Sequence, residues 1–243
     1  MEINRHLFFA WWPRRDDLDV SFSTTANVSV ALTKYAAGSV DFVMTEAVIF
    51  NTSRLSATYG GAFVQLPLTA NAIIIGYNLP ELYANETLVL DIATLGRMFA
   101  GLITVWNDSA IAALNPTLAA RLPGNPIELV YKRTADALDA DVTAAFVKAL
   151  THEPTFAAAL AASDGTLYNI LNGAGYSSDV VADCQSRVNG TAYTLGYFTL
   201  KSQTGIKVAA MKDANGTTVA ASATTVQTAM AYFRASVVSH VFV

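Results

Sequence analysis

Apolar and polar positions alternate along the chain in blocks that predict strands and helices in turn. The stretch NAIIIGYN (71–78) is apolar almost without interruption, which predicts a strand buried on both faces of a sheet. The stretch IELVYK (127–132) has the same character, and Val142, Phe146 and Leu150 follow it at helical spacing. Elements in this order favour an α/β fold with mostly parallel sheets flanked by helices.

Capping residues mark where the predicted helices begin and end. Asp91 and Asp108 each precede a helical pattern, and an aspartate at this position accepts hydrogen bonds from the unpaired N–H groups of the first turn. Gly38 and Gly101 follow two helical patterns, where glycine ends a helix in the left-handed conformation. Strands are also predicted at 18–24, 40–45, 193–200 and 206–212, and helices at 155–162, near 178–188 and near 224–235.

Two polar loops follow predicted strands and precede helices, STTAN (23–27) and KRTADALDAD (132–141). Ligands of α/β proteins bind at the carboxyl ends of strands, and the N–H groups of a helix start attract anions. Arg133 can form two parallel hydrogen bonds with a tetrahedral oxyanion or a carboxylate. The loops therefore predict an anion site. The alternative, an ion pair of Arg133 with Asp136 or Asp139 at the helix start, stays open.

Composition narrows the classes of protein and of partner. The 243 residues are 53% hydrophobic and 14% charged, which is enough for a large core in one big domain or in two lobes of about 120 residues each. The net charge is −4 and the basic residues are scattered, which excludes a nucleic-acid partner. No apolar run approaches the ~20 residues of a membrane span, so a signal peptide or anchor is expected only outside this chain.

Side chains that carry catalysis or hold metals are sparse. His6, His152 and His240 lie far apart and have no metal-ligand spacing. No phosphate-binding P-loop or nucleophile elbow is present. The single cysteine, Cys184, shares a helical face with apolar neighbours and is interpreted as a buried structural thiol. We therefore expect no metal, no cofactor and no enzymatic activity.

Glycosylation sequons are more frequent than the Asn, Ser and Thr content predicts. Such sites accept glycans on the surfaces of secreted proteins, so they favour a eukaryotic, extracellular or secreted glycoprotein, or a periplasmic protein if the source is bacterial. The alternative is that a composition rich in Ser and Thr produces the sequons by accident. The sequons begin at Asn27, Asn51, Asn85, Asn107, Asn189 and Asn215.

Two long stretches resemble a known family. FVQLPLTANAIIIGYNLP (63–80) and LVLDIATLGRMFAGLITVWNDSAIAALNP (88–116) are similar to the phosphate-binding proteins of bacterial ABC phosphate importers. The resemblance covers about residues 18–235. It implies a two-lobed fold of the type II periplasmic-binding-protein kind, with residues 1–71 and 196–243 in lobe 1, residues 72–195 in lobe 2, and a ligand cleft between the lobes.

The resemblance also implies ligand-binding residues. Thr45 and Glu46 stand at the family's Ser-Asp pair, and Arg133 and Thr134 stand at its Arg-Ser pair. This chain departs from the family after that pair, because Ala135 replaces an aspartate and DALDA replaces a glycine-rich segment. The implied ligand-binding residues are Thr24, Thr25, Thr45, Glu46, Arg133, Thr134 and Asp136. The alternatives are that Glu46 is a solvated strand-end charge and that Thr24 and Thr25 only cap a helix.

The resemblance and the loops together predict a solute-binding or sensing module. It would capture a small anion between two lobes, phosphate being the first candidate, and belong to a membrane-anchored parent protein or meet a matrix partner. The alternative is a degenerate scaffold that binds no solute and serves extracellular adhesion or matrix assembly. The family's first strand has no counterpart here, and SVVSHVFV (236–243) is predicted to replace it.

Overall fold

The computed structural model describes residues 21, 23–25, 28–44, 72–133, 142–200 and 205–229. The chain forms two compact units, residues 1–43 and residues 44–243. Most of the predicted strand at 18–24 and all of the predicted C-terminal strand at 236–243 lie outside the described residues.

The described part of the first unit is dominated by helix α1 (Val28–Ala36). Leu32 is buried, as the helical pattern predicts. The predicted end at Gly38 is confirmed, because this residue has a φ of 67° and its N–H donates to the carbonyl oxygen of Tyr35 at 3.0 Å. Residues 40–44 form no strand and Phe42 is exposed, so the strand predicted at 40–45 is wrong over its described part. An extended pattern is not sufficient for a strand, which also needs a neighbour to hydrogen-bond.

The second unit contains two sheets and the remaining described helices. The strands are β1 (Ile73–Asn78), β2 (Val89–Asp91), β3 (Glu128–Lys132), β4 (Tyr176–Ser178), β5 (Thr194–Thr199), β6 (Lys207–Val208), β7 (Ala210–Lys212) and β8 (Thr218–Val219). The helices are α2 (Ile92–Phe99), α3 (Ser109–Leu114), α4 (Val142–Leu150), α5 (Pro154–Ala162), α6 (Leu167–Ile170) and α7 (Val181–Gly190). Residues 119–121 form a 3-10 turn, and residues 223–229 are helical.

The larger described sheet has the strand order β4-β3-β5-β1-β6, and the smaller has the order β2-β7-β8. Strand β3 runs parallel to β4 and β5, whereas β1 runs antiparallel to β5 and β6. In the smaller sheet β2 and β7 are parallel, and β7 and β8 are antiparallel. Pairing in the described sheets is therefore mixed, whereas the sequence favours mostly parallel sheets.

One predicted strand, 206–212, is divided between the two sheets. The N–H of Ala209 donates to the carbonyl oxygen of Ile75 in β1, and the N–H of Ala210 donates to that of Leu88 next to β2. The chain thus changes sheets between two consecutive residues, which the apolar pattern does not reveal. Strand β5 also crosses the lobe boundary expected at 195–196 and pairs with β1 on both sides of it, while the division into lobes stays a prediction.

Alternate positions of the larger sheet pack against different helices. Tyr131 and Tyr197 contribute to a large core formed with α2, α4, α5 and α6. Val130 and Phe198 pack on the other face against Cys184 and other residues of α7. This period of two is what a strand buried on both faces requires. The predicted burial of Cys184 is confirmed.

The residues that carry the resemblance build this scaffold. Asp91 and Asp108 cap α2 and α3 as predicted, each accepting a backbone N–H at 2.7 and 2.8 Å. Asn115 ends α3 and hydrogen-bonds to both the N–H and the carbonyl oxygen of Val89, in the way a neighbouring strand would. Trp106 is fully buried, and its indole N–H donates to the carbonyl oxygen of Tyr193. The stretch 88–116 therefore fixes turns and strand ends, and Trp106 packs in the core.

Candidate functional site

The candidate site lies where β3 ends and the predicted anion loop begins. Because β3 is parallel to β4 and β5, the carboxyl ends of these three strands share one edge of the sheet. The N–H of Arg133 donates to the carbonyl oxygen of Ser178 at 3.1 Å, which extends the β3–β4 pairing by one residue. The backbone of Arg133 is thus fixed at the edge where α/β proteins bind ligands.

The side chain of Arg133 is exposed and lies over an aromatic ring. Its guanidinium carbon is 5.5 Å from the centroid of the Tyr168 ring on α6. Arg121 and Arg187 also lie over tyrosine rings, but each of them is paired with a glutamate as well. The guanidinium of Arg133 forms no ion pair with a glutamate or aspartate of the described residues.

Tyr131 lies below Arg133 on the same face of β3. Its side chain is 1% exposed, and its hydroxyl donates to the carbonyl oxygen of Ala174 at 3.1 Å. Burial raises the pKa of the Tyr131 hydroxyl, and a hydrogen bond with Ser177 and the charge of Arg133 oppose this effect. A neutral hydroxyl at this position therefore acts as a donor that fixes the loop before β4.

Helix α4 begins at Val142, just after the predicted loop, and its first turn is bonded to β5. The hydroxyl of Tyr197 in β5 donates to the side-chain oxygen of Thr143, in the first turn of α4, at 3.0 Å. The ring of Phe146 stacks on the Tyr197 ring with centroids 4.1 Å apart. Strand β3 has β4 and β5 as neighbours, and β4 is bonded to Arg133 whereas β5 is bonded to Thr143. The described residues before and after 134–141 are thus both bonded to strands next to β3.

Ser178 connects β4 to the start of α7. Its hydroxyl accepts from the N–H of Val180 and donates to a carboxylate oxygen of Asp183 at 2.9 Å. The thiol of Cys184 donates to the carbonyl oxygen of Tyr131 at 3.5 Å. Burial raises the pKa of this thiol, which favours its protonated form. Cys184 therefore serves the packing of α7 on the sheet and has no sign of an activated nucleophile.

The predicted site residues fall into three groups. Thr24 is exposed and Thr25 is half-buried in the first unit, and Arg133 belongs to the second unit. Thr45, Glu46, Thr134 and Asp136 lie outside the described residues. Their convergence on one cleft stays a prediction, and so does the pairing of Arg133 with Asp136 or Asp139.

The sequons of the second unit that the structure describes are exposed. Asn85 and Asn107 lie in loops, Asn189 lies near the end of α7, and Asn215 lies in the hairpin between β7 and β8. The chain turns at Asn215-Gly216, where Gly216 has a φ of 83°. Asn27 and Asn51 are outside the described residues. The surface therefore leaves room for glycans at four sites, and their presence stays a prediction.

Neither the position of Tyr168 nor the contribution of β4 could be predicted from the sequence. Tyr168 lies on a helix of four residues, too short for a periodic pattern, and β4 is a strand of three. Among the described residues, no group of three or more His, Cys, Asp or Glu could hold a metal ion. None of the helices in the described ranges is both long and apolar enough to cross a membrane.

Comparisons with known proteins agree with the fold. A family model described as a PBP superfamily domain matches residues 17–239. A solved phosphate ABC transporter substrate-binding protein from Clostridium perfringens, with bound phosphate, superposes with a TM-score of 0.53. It is 15% identical in sequence, and the match covers 83% of this chain and 66% of that protein. At this identity the likeness shows the fold alone.

Two proteins with similar sequences belong to different kinds of protein. A protein of Acanthamoeba polyphaga mimivirus, named as a serine/threonine-protein kinase/receptor, is 31% identical over 215 residues, which are 82% of this chain but 13% of that protein. The phosphate-binding protein PstS of Methanocaldococcus jannaschii is 28% identical over 177 residues, 72% of this chain and 44% of that protein. The chain thus spans less than half the length of each. Since the family model covers most of its residues, the chain belongs to the PBP superfamily, and its α/β fold is that of the type II periplasmic-binding proteins.

Proposed function

We propose that the chain is a solute-binding or sensing module that captures a small anion, with phosphate as the first candidate. The observation that carries the proposal is the position of Arg133, whose exposed guanidinium stands at the carboxyl edge of three strands. Membership of the PBP superfamily supports a binding role over an enzymatic one. The names of the archaeal relative and the solved neighbour support phosphate as the first anion to test.

The module is further proposed to be a sensing segment of a longer, extracellular protein. Two facts about the mimiviral relative support this proposal. The chain matches 13% of that protein's length, and that protein is named as a kinase/receptor. The four exposed sequons support an extracellular location, because glycans are attached to secreted surfaces. A loss of mass on glycosidase treatment of the protein from its native source would check the location, whereas an unmodified mass would count against it.

The proposal is tested by thermal unfolding with inorganic phosphate, sulfate and small carboxylates. A ligand at about 100 times its Kd stabilises the folded state by ~2.7 kcal/mol, which raises the Tm measurably. Arg133→Ala removes charge-assisted hydrogen bonds of ~1.5–3 kcal/mol, so the Kd for phosphate should rise about 10- to 150-fold. Arg97→Ala, at an exposed arginine on α2, changes the net charge equally and should leave the Kd unchanged.

A second candidate function is the degenerate scaffold. It is favoured by the sequence after Thr134, where Ala135 and DALDA stand in place of the family's aspartate and glycine-rich segment. Loss of the glycines removes the close approach of backbone to an oxyanion. If no anion in the screen raises the Tm of the wild-type protein, the scaffold function replaces the binding function.

A further inference from the structure

The ring under Arg133 belongs to a residue at the surface of the second unit. Tyr168 is 41% exposed, whereas Leu167, at the start of α6, and Leu171, directly after its end, are buried in the core. These two leucines attach α6 to the second unit and leave the tyrosine at the surface. The guanidinium carbon of Arg133 lies 5.5 Å from the centroid of this exposed ring.

The Tyr168 ring lies against the chain that follows α6. The N–H of Gly173 donates to the carbonyl oxygen of Tyr168 at 2.9 Å, in a turn where Gly173 has a φ of 72°. A Cβ at Gly173 would lie 3.2 Å from the Tyr168 hydroxyl, so the end of the ring rests against this glycine. The hydroxyl of Tyr131 holds the next residue, Ala174. The ring is thus tied through its own loop to β3, the strand that ends in Arg133.

A guanidinium uses different parts of its surface for the two interactions. Its flat face stacks on an aromatic ring, and its edge carries the N–H groups that bind an oxyanion. A ring under one face therefore removes freedom from a long, exposed side chain without competing for its donors. The free energy lost on ordering the side chain is then smaller when an anion binds.

We propose that Tyr168 is a positioning residue for Arg133, whose ring face, and not whose hydroxyl, orients the guanidinium toward an anion. This inference rests on the proposed function and deepens it. From the usual strength of an exposed contact between a cation and a ring, loss of the ring is expected to raise the Kd for anions about two- to fivefold.

The test measures the Kd for inorganic phosphate by calorimetry in six proteins: wild type, Y168F, Y168L, R133A, Y168F/R133A and Y168L/R133A. We expect Y168F to bind as the wild type does and Y168L to bind about two- to fivefold more weakly. We expect Y168L to have no further effect when Arg133 is already alanine, which a merely structural role for the ring would not produce. If Y168L does not fold, Y168Q removes the ring in its place.

The outcomes separate this inference from the proposed function. Equal phosphate binding by Y168L and wild type would overturn the inference alone. A loss of phosphate affinity in Y168F as large as that in Y168L would also overturn the inference alone, because it would assign the effect to the hydroxyl. An equal loss from Y168L with and without Arg133 would show that the ring acts through the fold. An absence of phosphate binding by the wild-type protein would overturn both statements.

Discussion

The start of β4 offers a sharp test of the fold around the site, through the substitution Gly175→Ala. Gly175 has a φ of 81°, and a Cβ built on it would lie 2.3 Å from the carbonyl oxygen of Leu129 in β3. Contacts this short do not occur, and the obstacle is backbone, so β3 and β4 would have to separate. Such a separation would act on the hydrogen bond between Arg133 and Ser178, which lies at the other end of the same pairing.

The expected loss of stability has two parts that a matched control separates. An alanine with positive φ costs ~1–2 kcal/mol, offset by ~0.4–1 kcal/mol because alanine also restricts the unfolded chain. Gly165→Ala has this part alone, since Gly165 has a φ of 88° and nothing lies within 4 Å of its Cβ. Gly175→Ala adds the overpacking of two strands, ~1–3 kcal/mol. Gly175→Ala should therefore be less stable than Gly165→Ala by about 1–3 kcal/mol.

Urea unfolding followed by circular dichroism measures both variants against the wild type. The slope of the unfolding free energy against urea concentration should be the same in all three proteins, because each exposes the same surface on unfolding. If the two glycine variants lose equal stability, to within about 0.5 kcal/mol, β4 does not approach Leu129 as described and the reasoning is refuted.

Two further substitutions test the scaffold and its dependence on pH. Asn115 is 3% exposed, and its side chain accepts one hydrogen bond from Val89 and donates one each to Val89 and Ile111. Asn115→Ala removes all three, so urea unfolding should show a loss of ~2–4 kcal/mol in the free energy of unfolding. The control Asn107→Ala, at an exposed position, should lose less than ~0.5 kcal/mol. Equal losses in these two variants would contradict the role of Asn115. Burial raises the pKa of the Cys184 thiol above its ordinary value of 9.0, so the unfolded chain deprotonates first and this contribution to stability is lost as pH rises above about 9. The stability difference between wild type and Cys184→Ala should therefore shrink between about pH 8 and about pH 10, and a constant difference would refute the assignment.

Helix caps and long apolar runs were the parts of the fold that the sequence could predict. Asp91 and Asp108 cap helices as expected, and Gly101 follows α2 with a φ of 76°. The run at 71–78 gives a central strand of the sheet. These features depend on interactions within a few residues, so their signal is local.

Other features depend on which distant segments meet. The stretch 206–212 is one apolar run in the sequence but serves two sheets, because its backbone bonds to Ile75 and to Leu88 in turn. Strand β4 has three residues and exists through its pairing with Val130 and the two residues after it. Residues 40–44 have an extended pattern but form no strand. Pairing partners of this kind are set by the fold and leave no trace in a local pattern.

The candidate site shows the same division between local and distant signals, and this limits what the resemblance implies. Trp106, Asn115 and the two capping aspartates, which carry most of the resemblance, all hold turns, strand ends or the core. Of the residues that the resemblance assigns to the ligand, Arg133 is the one described in the second unit, and the segment after it departs from the family. A scaffold can be kept while its ligand changes, because the two depend on different residues. The strength of the resemblance is therefore evidence for the fold, and the proposed ligand has to be tested by the substitutions at Arg133 and Tyr168.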